Sequence, residues 1–289
     1  MPIEGKRRYR LDIAYQGTDF SGWGRQPGLR TVQGTLEDAL ATIFRRAGEP
    51  PQLTVAGRTD AGVHAVGQVA HTDLTPEQED LLRKPHGKRP PLSAEEALGR
   101  RLNGILGPVS DVVVLAASLA PEGFDARFSA LWRRYEYRVA DRAALRDPLQ
   151  RHRTAWVSSD LDATAMDMAA HGLLGLHDFA SYCKAREGAT TIRTLQSFSW
   201  RREPDGVLVA DLTADAFCHS MVRALVGACV EVGEGELDPG DLVSLREEKR
   251  RTSAFTVMPA RGLTLLEVGY PEGPELALRA ERTRALREL

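Results

Sequence analysis

The chain has little cysteine, no long apolar run and no surplus of charge of either sign, and each shortage argues against a class of protein. Three cysteines, Cys183, Cys218 and Cys229, are spread over 289 residues, odd in number and without a C-x-x-C spacing. That argues against a disulfide-stapled scaffold or a zinc ribbon, and reads as reduced thiols serving as small buried hydrophobes in a cytoplasmic protein. No stretch approaches the roughly 20 apolar residues needed to cross a bilayer. The opening MPIEGKRRYRLDIAY has basic residues but no apolar h-region, so it does not read as a secretory signal. Lys and Arg number 38 against 40 Asp and Glu, a net charge of −2, unlike a dedicated non-specific nucleic-acid binder. Also missing are a P-loop, a G-x-G-x-x-G after a strand, a kinase set and a G-x-S-x-G elbow. Any chemistry is therefore expected to need no cofactor, metal or redox centre.

What is present is an ordinary enzyme composition, 42% hydrophobic and 27% charged. The charge is unevenly placed. Residues 127–153 carry eight arginines against Glu136, Asp141 and Asp147, a local surplus of five without a single lysine. Guanidinium forks suit phosphates and planar partners; a solvated face is the plainer alternative.

Arg8 to Tyr15 alternates, with Tyr9, Leu11, Ile13 and Tyr15 on one face, as a half-buried strand does. Thr31 opens a helix through Leu36, Leu40 and Phe44. Short strands are expected at 53–56 and 68–72. The proline-rich, charged stretch 75–91 reads as a surface insertion or flexible loop. Ser93 and Glu96 form a capping-box signature for a helix carrying Leu98, Leu102 and Ile105. Strands follow at 112–115 and 128–139. The later chain predicts helices at 161–174, 217–232 and 238–250, strands at 194–202, 207–213 and 264–268, and a tail that is a charged helix or a frayed end. The pattern predicts an α+β fold of two pseudo-symmetric lobes, each a mostly antiparallel sheet flanked by helices, around a central active-site cleft. The expected boundaries are 1–125 for the N-terminal lobe and 126–289 for the C-terminal lobe, with 126–147 as a basic bridging strand.

The stretch AGRTDAGVHAVGQVAH, residues 56–71, places Arg58, Asp60, His64 and His71 among Gly57, Gly62 and Gly67. Glycines permit a sharp turn and close approach of another molecule. An ionised aspartate in a cleft can act as a covalent nucleophile, and a neighbouring guanidinium favours that form. The plainer reading is an aspartate capping the turn with Arg58 as its partner. Asp60 with His64 and His71 could imitate a two-His-one-carboxylate metal site. The intervening glycines and the lack of a further ligand favour structural histidines instead. In LWRRYEYRVA, Tyr135 and Tyr137 alternate with arginines, giving an aromatic and a basic face suited to stacking a base and holding phosphates. Both tyrosines packing in a core is the alternative. In ADAFCHSMVRALVGACVEVG, Phe217, Met221, Leu225 and Val226 share an apolar face. Arg223 within it needs a carboxylate partner if buried, and Asp60 is a candidate.

Together these stretches resemble the tRNA pseudouridine synthase A family. Its motif A-G-R-T-D-x-G-V-H-x-x-x-Q-V stands here as AGRTDAGVHAVGQV, and the likeness continues in YQGTDFSGWGRQPGLRTVQGTLEDAL, FDARFSALWRRYEYRV, GLHDFASYC, TIRTL, AFCHSMVRALVGACVEVG and PARGLTLLEVGY, in the family's order. Two departures stand out. Trp23-Gly24-Arg25-Gln26 replaces the common W-Q-R-Q, and the 75–91 insertion is longer than in compact members.

The resemblance implies conversion of uridine to pseudouridine in the tRNA anticodon stem-loop at positions 38, 39 and 40, without a cofactor or metal and as a homodimer. It implies Asp60 as nucleophile, Tyr135 stacked on the target uracil, Arg223 paired with Asp60, and Arg58 holding the flipped nucleotide. Arg25, Arg133 and Arg134 are expected to contact RNA. Two rival classes are a non-catalytic RNA-binding protein on the same scaffold and an Asp–His hydrolase. Asp60, Tyr135 and Arg223 together argue against the first, because a carboxylate in a phosphate-lined cleft weakens binding. The second requires His64 within hydrogen-bond reach of Asp60 or a water.

Overall fold

The computed structural model describes residues 5–84, 91–184 and 190–285. The chain divides into two compact units, Met1–Leu131 with Val268–Leu289, and Trp132–Glu267. This differs from the expected break at 125/126 on two counts: residues 126–131 stay with the first unit, and the C-terminal segment returns to it.

In the first unit, β1 (Arg7–Tyr15) is followed by α1 (Val32–Phe44), β2 (Thr54–Val55), β3 (His64–Leu74), α2 (Pro76–Arg83), α3 (Ala94–Leu106) and β4 (Val112–Leu119). β1 pairs antiparallel with β3 on one side and β4 on the other, and β2 pairs antiparallel with β3. The alternation read in β1 is realised, with Tyr9, Leu11, Ile13 and Tyr15 all buried. Register places Arg8 opposite Asp73, and its guanidinium grips that carboxylate with bonds of 2.7 and 2.8 Å. Thr31 caps α1 by accepting from the Gly34 N–H, and Ser93 and Glu96 complete the expected capping box of α3. Leu98 and Leu102 are buried, whereas Ile105 is exposed.

The expectation for 75–91 is corrected over its first half. Thr75 accepts from the Gln78 N–H while the Gln78 side chain accepts from the Thr75 N–H, and Pro76 sits in the first turn of α2. The proline starts this helix because the first turn does not need its missing N–H. Gln78, Glu79 and Leu82 are buried, and the Tyr9 hydroxyl donates to Glu79. Residues 85–90 of that stretch lie outside the described residues.

In the second unit, β5 (Trp132–Ala140), β6 (Ala155–Trp156), α4 (Ala163–His171), β7 (Gly175–Asp178), β8 (Ile192–Arg202), β9 (Leu208–Ala214), α5 (Met221–Gly233) and α6 (Asp241–Glu247) lead to β10 (Leu263–Gly269), which runs across the unit boundary. β5, β9, β8 and β7 form an antiparallel run, and only the short β6 joins β5 in parallel. The fold is α+β with mostly antiparallel pairing, as expected. Four of the eight arginines of the basic segment form ion pairs: Arg134 with Glu267, Arg138 with Asp205, Arg142 with Asp160 and Arg153 with Glu136. Arg146 lies over the Trp156 ring at 3.7 Å.

α5 begins at Met221, four residues after the expected start at Phe217, because Ser220 takes a left-handed conformation (φ 61°) that breaks the helical path. The cysteine expectation is corrected too. Cys183 and Cys218 are joined as a disulfide with Cα atoms 5.8 Å apart, and Cys229 stays a free, buried thiol pushed up to about 12 by burial. A backbone bond from the Lys184 N–H to the His219 carbonyl (3.0 Å) draws those two segments together. The tail forms α7 (Glu275–Ala285), whose Leu276 and Ala280 are buried in the first unit; residues 286–289 lie outside the described residues.

Candidate active site

Asp60 opens a tight turn in which the Val63 N–H donates to the Asp60 carbonyl (3.2 Å) and Gly62 adopts φ 80°. A left-handed third residue is what such a turn demands, and glycine supplies it without steric cost. The turn leads directly into β3, which begins at His64 within the motif rather than at the expected 68.

The loop after β1 clamps this turn. The Trp23 N–H donates to the Thr59 carbonyl (3.0 Å) and the Gly62 N–H to the Phe20 carbonyl (3.3 Å), so backbone bonds arrive on both sides of Asp60. Gly17 lies so close to Val63 that a Cβ there would fall 1.9 Å from the Val63 carbonyl oxygen. Only glycine fits. The Gly17 N–H donates to Nδ1 of His64 (2.9 Å), which gives that histidine a structural task. His71 has one as well, accepting from the Ala126 N–H at 3.0 Å. Among the described residues, no three His, Cys, Asp or Glu side chains come together to hold a metal ion.

Behind the turn lies a buried polar cluster that the sequence reading did not single out. The Tyr15 hydroxyl and the Thr59 hydroxyl share a 2.8 Å hydrogen bond, and Gln68 Nε2 donates to the Tyr15 oxygen (3.2 Å) and the Gly57 carbonyl (3.0 Å). Burial pushes the Tyr15 phenol up to about 12, so it stays protonated and able to donate at neutral pH. The available signal was Gln68, which is part of the motif itself and is fully buried in β3.

Asp60 is therefore half-buried on a rigid support, while Arg58 on the same loop is exposed. The Arg58 side chain packs over Gly24, within 3.5–3.7 Å of where a Cβ would sit. The W-G-R-Q departure thus places a side-chain-free position beneath that guanidinium. Arg25 is held by α1, donating to Glu37 (3.1 Å), Asp38 (2.6 Å) and the Gly34 carbonyl (3.1 Å).

The second unit carries Tyr135, Arg133, Arg134 and Arg223. Strand alternation places Arg133, Tyr135 and Tyr137 on one face of β5 and Arg134 on the other. This corrects the expected split into a basic and an aromatic face, since Arg133 accompanies the tyrosines. Tyr137 is fully buried and donates to the Pro259 carbonyl (2.6 Å), whereas Tyr135 is half-buried with its ring edge-on to Phe217, centroids 5.2 Å apart. A Cβ on Gly262 would fall 2.4 Å from the Tyr137 ring, so the glycine of PARGL admits that ring. Arg133 donates to the Asp215 carbonyl (2.7 Å), and Arg134 pairs with Glu267 at 2.9 Å.

Arg223 projects from the first turn of α5, and its Nε donates to the Met258 carbonyl at 2.6 Å. The Met258 N–H returns a 3.1 Å bond to the Arg223 carbonyl. α5 comes this close to residues 256–258 only because Gly227 has no Cβ, which would lie 1.9 Å from the Thr256 oxygen. Asp60 and Arg58 thus share one clamped loop of the first unit, and Tyr135 and Arg223 are each fixed within the second.

An RNA-modifying enzyme class fits this set of a supported carboxylate, a half-buried tyrosine and anchored arginines. Residues 169–271 match the family model described as tRNA pseudouridine synthase. The chain is 78% identical over 282 residues to a tRNA pseudouridine synthase A of Leifsonia xyli, covering 98% of each. Proteins of the same name from Frankia casuarinae and Streptomyces avermitilis are 53% and 50% identical, with 98% of this chain and 97% and 94% of theirs covered. The chain belongs to the tRNA pseudouridine synthase A family.

Proposed function

We propose that this chain isomerises uridine to pseudouridine in the tRNA anticodon stem-loop, at positions 38, 39 and 40, with Asp60 as the nucleophile. The observation that carries the reading is the clamped turn. Backbone bonds from Trp23 and Gly62, and the Tyr15–Thr59 bond behind, hold a half-buried carboxylate in a fixed place. Family membership across 98% of the chain supports the same reaction.

The reaction breaks the N1–C1′ bond, turns the uracil and joins C5 to C1′. N1 gains a proton and C5 loses one, so nothing is oxidised, hydrolysed or transferred and no cofactor is required. The Asp60 carboxylate attacks the base at C6 or the sugar at C1′, or assists loss of the 2′ proton; a later step returns the carboxylate. The base must first leave its stack, at a cost of a few kcal/mol. Tyr135 offsets it by stacking on the uracil, worth about 1–3 kcal/mol. Arg223 is the proposed partner of the Asp60 carboxylate, and Arg58 holds the flipped nucleotide. Arg25, Arg133 and Arg134 are assigned contacts with the RNA. Tyr135 is also the base that takes the C5 proton late in the reaction, and slow C5–H release in Tyr135→Phe would support that role.

The protein acts in the cytoplasm as a homodimer, letting one stem-loop lie across two subunits. Sedimentation at micromolar concentration tests this; a monomer would contradict it. The catalytic reading is tested by release of C5 tritium from labelled tRNA. Wild type releases it and Asp60→Asn does not, while tRNA binding is retained. Binding without release by wild type would instead favour the RNA-binding alternative.

A further inference from the structure

A cavity of about 290 Å³ lies in the second unit beside the first turn of α5, and none of the residues assigned to uridine chemistry lines it. Its volume is at the lower edge of the roughly 300–1,000 Å³ usual for small-molecule sites, which suits a compact group rather than a dinucleotide. Two cations, Lys184 and Arg251, and three hydroxyl-bearing residues, Ser181, Ser220 and Thr252, line it, the Thr252 hydroxyl also accepting from the Ala254 N–H at 3.0 Å. Its described lining contains no carboxylate.

Ser181 marks it as a site rather than a surface dent. That residue is 2% exposed, yet its Oγ has no hydrogen-bond partner among the described residues. Buried hydroxyls are ordinarily paired, so one left unpaired at a cavity wall is a donor awaiting an acceptor. Ser220, at the amino end of α5, does not use its side chain to cap the helix. The N-terminal end of a 13-residue helix carries partial positive charge and favours anions. Tyr182 and Phe255 stack at 5.3 Å and 13°, forming a rigid apolar floor.

We infer that this cavity binds a phosphoryl group, held by Lys184 and Arg251 and oriented by the Ser181, Ser220 and Thr252 hydroxyls. A metal cation is disfavoured by the two positive side chains. A carboxylate, with two oxygens, would leave part of the donor set unused, whereas a phosphate monoester or diester offers enough acceptors. The phosphoryl group belongs either to an RNA strand or to a free phosphorylated compound. The inference stands apart from the isomerase reading and would survive its failure.

The test uses the full chain and inorganic phosphate, titrated by calorimetry at constant ionic strength with sodium chloride as control. Saturable binding is expected, weakened at least tenfold in the double variant K184Q/R251Q. Ser181→Ala leaves the charge unchanged and is expected to weaken it severalfold, which a diffuse electrostatic effect would not do. Both exposed cations can be replaced without disturbing the core, and circular dichroism checks the fold of each variant. If phosphate competes with tRNA, and the double variant flattens the salt dependence of tRNA binding by about 1–2 in log–log slope, the phosphoryl group is the RNA backbone's. Saturable binding without competition assigns the site to a free phosphorylated compound. No phosphate binding beyond the chloride control, or equal binding by wild type, S181A and K184Q/R251Q, overturns the inference.

Discussion

Thr59 is the residue through which the first unit's core reaches the proposed nucleophile, because its hydroxyl is tied to Tyr15 and its carbonyl to Trp23. Tyr15→Phe removes one oxygen and leaves the Thr59 and Gln68 side chains each short of a buried partner, a cost of about 1–3 kcal/mol. The account predicts about a tenfold fall in kcat, with tRNA affinity retained, since the loss falls on the placement of Asp60 and not on RNA contacts. Unchanged kcat would show that the cluster does not position the loop. His71 carries a prediction of a different kind. Burial, aided by the Arg8 charge, lowers its pKa to about 4, while its Nδ1 must stay unprotonated to accept from Ala126. Between about pH 6.5 and pH 4 the unfolded chain binds a proton here that the folded chain does not, so stability falls as pH falls through that window. The depression corresponds to about 3 kcal/mol, all present above pH 6.5. Chemical denaturation across this range should show that loss in wild type, and His71→Asn should lack most of it.

At the scale of elements, close approach decides where the machinery sits. Gly227→Ala puts a Cβ 1.9 Å from the Thr256 oxygen and must push α5 from the strand of chain that holds Arg223. The expected cost is about 2–3 kcal/mol in unfolding free energy, read from urea denaturation, with a further loss of activity. A neutral effect would contradict the packing account. Much of this layer was legible. β1 declared itself by alternation, and α1 and α3 by their caps. What failed did so for identifiable reasons. In the stretch from Thr75, proline content outweighed a Thr75–Gln78 capping signal that was there to be read. Helical spacing carried the α5 expectation back to Phe217 because a left-handed Ser220 leaves no periodic trace. The Cys183–Cys218 contact depends on backbone pairing between distant segments, which cysteine spacing does not encode. The motif singled out Asp60 as a candidate, whereas the Tyr15–Thr59–Gln68 support behind it was passed over, since a strand tyrosine looks like plain core.

For the whole molecule, the end of the chain is part of its beginning. Tyr270 donates to the Ala126 carbonyl (2.7 Å), Ser129 to the Leu276 carbonyl (3.0 Å), and Arg284 to Asp125 (2.7 Å). Positional order suggested a C-terminal lobe running to the last residue, and nothing in the composition of a charged helix announces where it docks. Leu276→Ala should destabilise the first unit by about 2–4 kcal/mol, with faster amide exchange in β1 and residues 121–131 than in β8 and β9. Uniform acceleration in both units would contradict that assignment. The central claim is that Asp60 performs chemistry on a tRNA uridine, and C5-tritium release from labelled tRNA tests it most directly. The account predicts release by wild type and its abolition in Asp60→Asn, a substitution that keeps the size and removes the charge, with tRNA binding intact. Release at the wild-type rate by Asp60→Asn would contradict it.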